Sequence, residues 1–262
     1  MTARAEISVA IHPAAQVDPG AELGDNVRVG PFATIAAGAV IGPDTEIMAG
    51  AHILSGVTIG SGSTIHHGAV LGGLPQDTTF KDHPTPTFIG SGVMIREYVT
   101  IHRSSADEGT HVDDGSLLMA YCHIGHDSRI GREVILANGV QLGGRVQIGD
   151  YANIGGMTPV HQYCRIGAHA FVGGGYRVVQ DVPPYIMAMG EPLKFGGLNV
   201  IGLRRHRLGA DVRAAIKEAY RLIFRSEQDL PQALAVIRET LPDMPQIANI
   251  IKFVETSERG LI

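Results

Sequence analysis

An aliphatic residue recurs at every sixth position of this chain. The series runs Ile11, Val17, Leu23, Val29, Ile35, Ile41, Ile47, Ile53, Ile59, Ile65 and Leu71, then Ile89, Ile95 and Ile101. It resumes, offset by five residues, at Val112 and continues through Leu118, Ile124, Ile130, Leu136, Leu142, Ile148, Ile154, Val160, Ile166 and Val172 to Val178. Side chains repeat every 3.6 residues on a helix and every 2 on a strand, so neither element alone has a period of six. Three short straight segments joined by corners do. They close a triangular parallel β-coil in about 18 residues, with the aliphatic side chains stacked inside. Successive coils then lie about 4.8 Å apart, and position n sits beneath position n+18.

About two thirds of the 262 residues therefore form one mainly β solenoid, and the rest is appended to it. The 34 glycines, absence of Trp and aromatic content of 5% suit a narrow core of one aliphatic per repeat with tight corners. We place the solenoid at residues 1–190 and a helical domain at 191–262. After Val178, Asp181-Val182-Pro183-Pro184-Tyr185 ends the coil, because proline cannot donate to a ladder. Val212, Ile216, Ala219 and Ile223 then share a helical face beginning near Asp211, and further helices are predicted over Leu230–Leu241 and Ile247–Val254. Such a cap would cover the open end of the solenoid.

Two external loops interrupt the period, at about 72–88 and 103–111. Long loops in a compact repeat usually carry function.

The net charge of −5 argues against a nucleic-acid partner. Between Lys194 and Arg225, however, eight basic residues face only Asp211 and Glu218. Arg213, Lys217, Arg221 and Arg225 form a like-charge stripe at four-residue spacing, which suggests an acidic partner. Cys122 and Cys164 cannot build a disulfide framework, and the sequence shows neither a signal-peptide pattern nor an apolar run of membrane-spanning length. A cytoplasmic protein is the expectation.

Of twelve histidines, His123 and His126 flank the inward Ile124 and can point outward. Adding 18 to His126 reaches Gly144, in the next coil on the same face; His161 and Gln162 fall a coil further on, and His102 a coil below. These six residues form one outward column. A histidine with an ordinary pKa near ~6.5 suits proton abstraction from a hydroxyl. Asp127 could support the resulting imidazolium, provided that a corner turns it toward its neighbour. Gly144 leaves a backbone N–H open to an oxyanion. Stacked histidines are also compatible with a zinc site, as in a γ-carbonic-anhydrase-like hydratase, or with a solvated surface. In the tail, Asn199 and the pair Arg204-Arg205 suit a nucleoside diphosphate.

Further blocks accompany these residues: Ile95-Arg96-Glu97, Thr100-Ile101-His102-Arg103, Ile135-Leu136-Ala137-Asn138, Gly155-Gly156-Met157-Thr158-Pro159-Val160-His161-Gln162 and Gln180-Asp181-Val182-Pro183-Pro184-Tyr185. In this order the chain resembles the UDP-N-acetylglucosamine O-acyltransferases of lipid A synthesis along essentially its whole length. The resemblance implies a left-handed β-helix, a homotrimer with sites between prisms, and transfer of an (R)-3-hydroxyacyl group from acyl carrier protein to the sugar 3-hydroxyl. It implies no cofactor beyond the carrier's phosphopantetheine, and no metal.

On that mapping His126 is the base, Asp127 its supporter and Gly144 the oxyanion donor. Asp77, Lys81, His102, His123, His161 and Gln162 would line the substrate cleft, and Gly174 would set acyl length. Asn199, Arg204 and Arg205 would hold the nucleotide, while Arg213, Lys217 and Arg221 would receive acyl carrier protein. The chain departs from the family pattern at Thr79, where a lysine is usual and the basic residue has moved to Lys81. It departs again at Arg145, where histidine is common, and at Ile201, where many members carry a carboxylate. A related enzyme using acetyl-CoA or a 3-amino sugar is the alternative within the superfamily.

Overall fold

A computed structural model describes residues 9–106 and 108–262. The six-residue period builds a three-faced parallel β-helix. The first face is an eleven-stranded sheet that starts at Ala10–Ile11; the second and third have eight strands each, starting at Gln16–Val17 and Glu22–Leu23. Most strands are two residues long. Each pairs with the strand one coil away, so that His123 lies between Thr100 below and Gln141 above. The chain turns first from face one to face two, then from two to three, and finally from three back to one. These are called the first, second and third corners below.

From Val27 onward the coils bury two kinds of residue, where the sequence pointed to one. Ile35, Ile53, Ile101, Ile124 and Leu142 are 0–2% exposed, and each such aliphatic contributes roughly 1.5–3 kcal/mol of burial. Two positions before each lies a second buried column of small residues, including Ala33, Ala51, Ser63, Val99, Ser116, Cys122, Ser128, Val140 and Cys164. The hydroxyls in it serve the corners. Ser116 Oγ donates to the Gly131 carbonyl at 2.9 Å and accepts from the Val134 N–H at 3.1 Å. This column also accounts for both cysteines, whose thiols burial pushes up to about 11.

The loops of the sequence reading are residues 74–86, between strands Val70–Gly73 and Thr87–Ile89, and 103–109, between Thr100–His102 and Thr110–Val112. Both leave from the second corner in successive coils, and they touch. Arg103 pairs with Asp82 and lies over the Phe80 ring, and the Thr85 hydroxyl donates to the Ser104 carbonyl at 2.5 Å.

Past Val172 the first face gains Ile186–Met189 and then, antiparallel to it, Lys194–Leu198. Four helices follow: α1 (Val200–Arg205), α2 (Ala210–Arg225), α3 (Leu230–Thr240) and α4 (Pro245–Glu255). The last three occupy the expected segments; α1 was not anticipated. Tyr220 of α2 is fully buried and its hydroxyl donates to the Pro184 carbonyl at 2.6 Å, while Phe224 stacks on Phe195. Arg165 ties α4 to the third face by donating to the Thr256 carbonyl at 2.7 Å and lying over the Phe253 ring. Among the described residues no helix is long and apolar enough to cross a membrane.

Candidate active site

The second corner carries the chemistry. Leaving Ile124, the backbone passes Gly125, where a Cβ would lie 2.6 Å from the Gly143 carbonyl carbon, so only glycine lets the two coils approach this closely. It then turns at Asp127, which adopts a left-handed conformation with φ of 60°. That turn meets the condition posed by the sequence: adjacent side chains that would diverge on a straight strand converge here. The His126 Nδ1 lies 2.7 Å from Asp127 Oδ2, and both side chains are nearly buried, at 13% and 12% exposure. An ionised carboxylate can only accept, so Nδ1 carries a proton, and in the neutral ring the lone pair is then on Nε2, the ring atom nearest Gly144. A Cβ on Gly144 would stand 2.5 Å from that Nε2. No acceptor among the described residues takes the Gly144 N–H.

Asp127 is held by more than its histidine. The Ser104 hydroxyl and the Ser105 N–H donate to Oδ1, the latter at 2.8 Å, and the Ser105 hydroxyl donates to Oδ2. Its own N–H donates to Thr110 Oγ1 at 2.9 Å, and Arg145 Nε lies 3.4 Å from Oδ2. Burial alone would push this carboxyl up. The hydrogen bonds from Ser104, Ser105 and His126 outweigh it and hold the group well below the usual carboxylate range.

An open cleft of about 400 Å³ adjoins the dyad, lined by His102, His123, His126, Gly144, His161 and Gln162 together with Gln76 from the first loop. The six-residue column read from the repeat is thus one surface. His123 Nδ1 lies 2.8 Å from Thr100 Oγ1, and its ring meets His102 edge-on, with centroids 4.7 Å apart. Burial, reinforced by His123 and His126, pushes His102 down to about 4, so it is neutral at ordinary pH. His123 is lowered for the same first reason. Asp77 is fixed by its neighbour at the position of the lysine-to-threonine departure, since Thr79 donates to it from N–H at 2.8 Å and from its hydroxyl at 2.7 Å. Those bonds lower its pKa, with smaller contributions from His126 and Arg145.

Other candidates lie elsewhere. Lys81 is exposed and not among the lining residues; its carbonyl meets the His83 ring instead. Gly174 is exposed at the first corner, where it packs on Gly156. Asn199 is at the third corner and spends its amide within the chain: Nδ2 donates to the His169 carbonyl at 2.9 Å, and Oδ1 accepts from the Gly202 N–H at 3.1 Å, capping α1. Arg204 and Arg205 follow on that helix with exposed side chains. The residues expected to act together therefore occupy three different corners of one prism. Sequence reasoning missed Ser104, Ser105, Thr110 and Gln76. It also missed Arg259, whose Nη2 reaches to 3.2 Å from His161 Nδ1. Only the broken period hinted at the first four.

Among known proteins, the chain is 49% identical over 259 residues to the acyl-[acyl-carrier-protein]–UDP-N-acetylglucosamine O-acyltransferase of Paraburkholderia phymatum, an alignment covering 96% of this chain and 98% of that one. The chain belongs to the UDP-N-acetylglucosamine O-acyltransferase family. Halorhodospira halophila contributes a relative of the same name at 44% identity, with the same coverage. The UDP-N-acetylglucosamine acyltransferase structure from Bacteroides fragilis superposes with a TM-score of 0.93 at 40% identity, covering 96% of this chain and 99% of that one. The Arabidopsis enzyme gives 0.83 at 32% identity, again over 96% and 99%. A family model described as UDP-N-acetylglucosamine O-acyltransferase, domain 2, matches residues 181–262, and the bacterial transferase hexapeptide model matches 38–73 and 109–144. The coil is accordingly the left-handed β-helix of the O-acyltransferase family, followed by its C-terminal helices.

Proposed function

We propose that this chain transfers an (R)-3-hydroxyacyl group from acyl carrier protein to the 3-hydroxyl of UDP-N-acetylglucosamine, the opening reaction of lipid A synthesis. The Asp127–His126–Gly144 array carries the reading. His126 Nε2 takes the proton of the sugar hydroxyl as its oxygen attacks the thioester carbonyl, and Asp127 stabilises the imidazolium across the 2.7 Å contact at Nδ1. The Gly144 N–H donates to the oxyanion of the tetrahedral intermediate. Collapse breaks the carbon–sulfur bond, and the imidazolium returns its proton to the departing pantetheine thiolate. The products are the acylated nucleotide sugar and the free carrier thiol, with no cofactor beyond the carrier's own phosphopantetheine.

Gln76, Asp77, His102, His123, His161 and Gln162 surround the sugar on this reading. The nucleotide contacts (Asn199, Arg204, Arg205) and the acyl-length position (Gly174) are supplied by other corners, as in a homotrimer whose clefts lie between prisms. Arg204 and Arg205 are the groups left for phosphate, since the Asn199 amide is engaged; Lys81 would need its loop to move. Acyl carrier protein docks on α2, where Lys217 and Arg221 rim a hollow of about 530 Å³ floored by Phe195, Leu198 and Val200. Arg213 already donates to the Leu208 carbonyl and Arg221 is paired with Glu218 through Nε and Nη2, which leaves Lys217 the larger share. The chain works in the cytoplasm on this reading and has no nucleic-acid partner.

The test is a mass-spectrometric product assay with purified acyl carrier protein thioesters of several lengths, offered UDP-N-acetylglucosamine and its 3-amino analogue. The expected product is the 3-O-acyl sugar, and His126→Ala should lose about 10²–10⁴-fold in rate. Acylation of the amino analogue alone, or near-native transfer by His126→Ala, would overturn the reading.

A further inference from the structure

The second loop does more than decorate the coil. Eleven residues separate Ile101 from Val112 where the repeat requires six, and Ser104, Ser105 and Ala106 of the additional chain all donate to one side chain, Asp127. Ser104 sits in this surface loop with no exposure at all. Its hydroxyl and the Ser105 N–H take Oδ1 of Asp127, the Ala106 N–H adds a contact at 3.3 Å, and the Ser105 hydroxyl shares Oδ2 with His126 at 2.5 Å. Arg145 closes the far side through Nε at 3.4 Å from Oδ2 and Nη2 at 3.5 Å from Ser105 Oγ. A carboxylate on a corner residue has two free torsions, and donors on both oxygens hold it with Oδ2 toward the imidazole: the Ser104 hydroxyl and two N–H groups on Oδ1, and the Ser105 hydroxyl beside His126 on Oδ2.

We propose that Ser104 and Ser105 are positioning residues for the acyl transfer: they fix the Asp127 carboxylate so that it orients His126 Nε2 toward Gly144. Neither serine lines the cleft or touches the reacting atoms; both act through Asp127. This rests on the acyltransferase reading, in which His126 is the base. It predicts a loss in turnover without a loss in substrate affinity, because the cleft walls are unchanged. It also predicts that the serines matter only while Asp127 is present.

The experiment is a mutant cycle in the transfer assay, comparing the wild-type chain, S104A/S105A, D127A and the triple variant, with thermal melts to establish that each is folded. S104A/S105A should lower kcat about 10-fold and leave both KM values within about twofold, while the same two substitutions added to D127A should change kcat by less than about twofold. An equal loss in the D127A background, or no loss in the wild-type background, would overturn the proposal. Should the double variant fail to fold, S105A and S105T decide: alanine lowers kcat and threonine, which keeps the hydroxyl, restores it, whereas equal rates for the two sink the idea. Wild-type turnover judges the acyltransferase reading; the ratios between variants judge the positioning role separately.

Discussion

The Nε2 of His126 stands 2.5 Å from the point that a Cβ on Gly144 would occupy. A methyl there cannot coexist with the imidazole in its present place, and the imidazole, being the mobile end of a side chain, is what must move. Gly144→Ala should therefore fold normally yet lose about 100-fold or more in turnover, the scale of misplacing a reacting group by an ångström. Gly125→Ala makes the contrast. Its Cβ would meet the backbone of Gly143 and Gly144 at 2.6 and 2.7 Å, where nothing can swing aside, and should cost about 1–3 kcal/mol of stability. Paired denaturation curves and kcat values check both.

Two histidines make stability depend on acid. Burial first, and neighbouring histidines second, push His102 and His169 down to about 4, against about 6.5 in an unfolded chain. Above pH 6.5 both states hold them neutral and their contribution is fully present. As pH falls from about 6.5 to 4 the unfolded chain takes up protons that the folded one refuses, so stability drops through that window. His169 stacks between Tyr151 and Tyr185 with centroids 4.7 and 5.7 Å away, which a phenyl ring can imitate. His169→Phe should flatten the fall in melting temperature between pH 6.5 and 4; an unchanged slope would count against the assignment.

Much of the site was readable because each hexad carries one unmistakable inward residue. Counting from Ile124 to Leu142 to Val160 brings His126, Gly144 and Gln162 to one corner, and the strand register agrees. The buried column two places earlier was obscured by its chemistry: alanine, serine, valine and cysteine share small size, not hydropathy. Ser104 and Ser105 could not be found by counting at all, since they lie in the stretch where the period fails. Arg259 reaches His161 across 98 residues, through a tail whose return path no local pattern encodes.

Asn199 shows how residue type can suggest one role and packing another. Its amide joins the start of α1 to the His169 carbonyl, so Asn199→Ala should destabilise the chain by about 1 kcal/mol, as loss of an N-cap does. Asn199→Asp keeps the cap acceptor but loses the donor to His169, and should fall between alanine and the native residue in melting temperature. If Asn199→Ala melts with the native chain while KM for the nucleotide sugar rises, the amide serves substrate and the capping account is wrong.

The first corner carries a line of apolar groups that one prism leaves uncovered. Phe32, Tyr98, Tyr121 and Met157 are 71%, 55%, 62% and 72% exposed, and all four hold the left-handed corner conformation, where a bulky side chain costs about 1–2 kcal/mol relative to glycine. Tyr98 and Tyr121 stack on one another with centroids 5.4 Å apart. The equivalent corner positions at Gly50, Gly68, Gly139 and Gly175 are all glycine, so this edge carries no polar residue at that place in any described coil. The third corner, by contrast, places Asn26, Asp44 and Glu133 there. A corner that carries exposed apolar side chains interspersed with glycines suits a contact with a second copy of the chain, and in the trimeric reading it brings the first corner of one prism against another. Tyr121→Lys combined with Met157→Glu should then give a monomer by light scattering and abolish transfer, with a thermal melt showing the coil still folded. A trimer of full activity in that variant would remove this edge from the assembly.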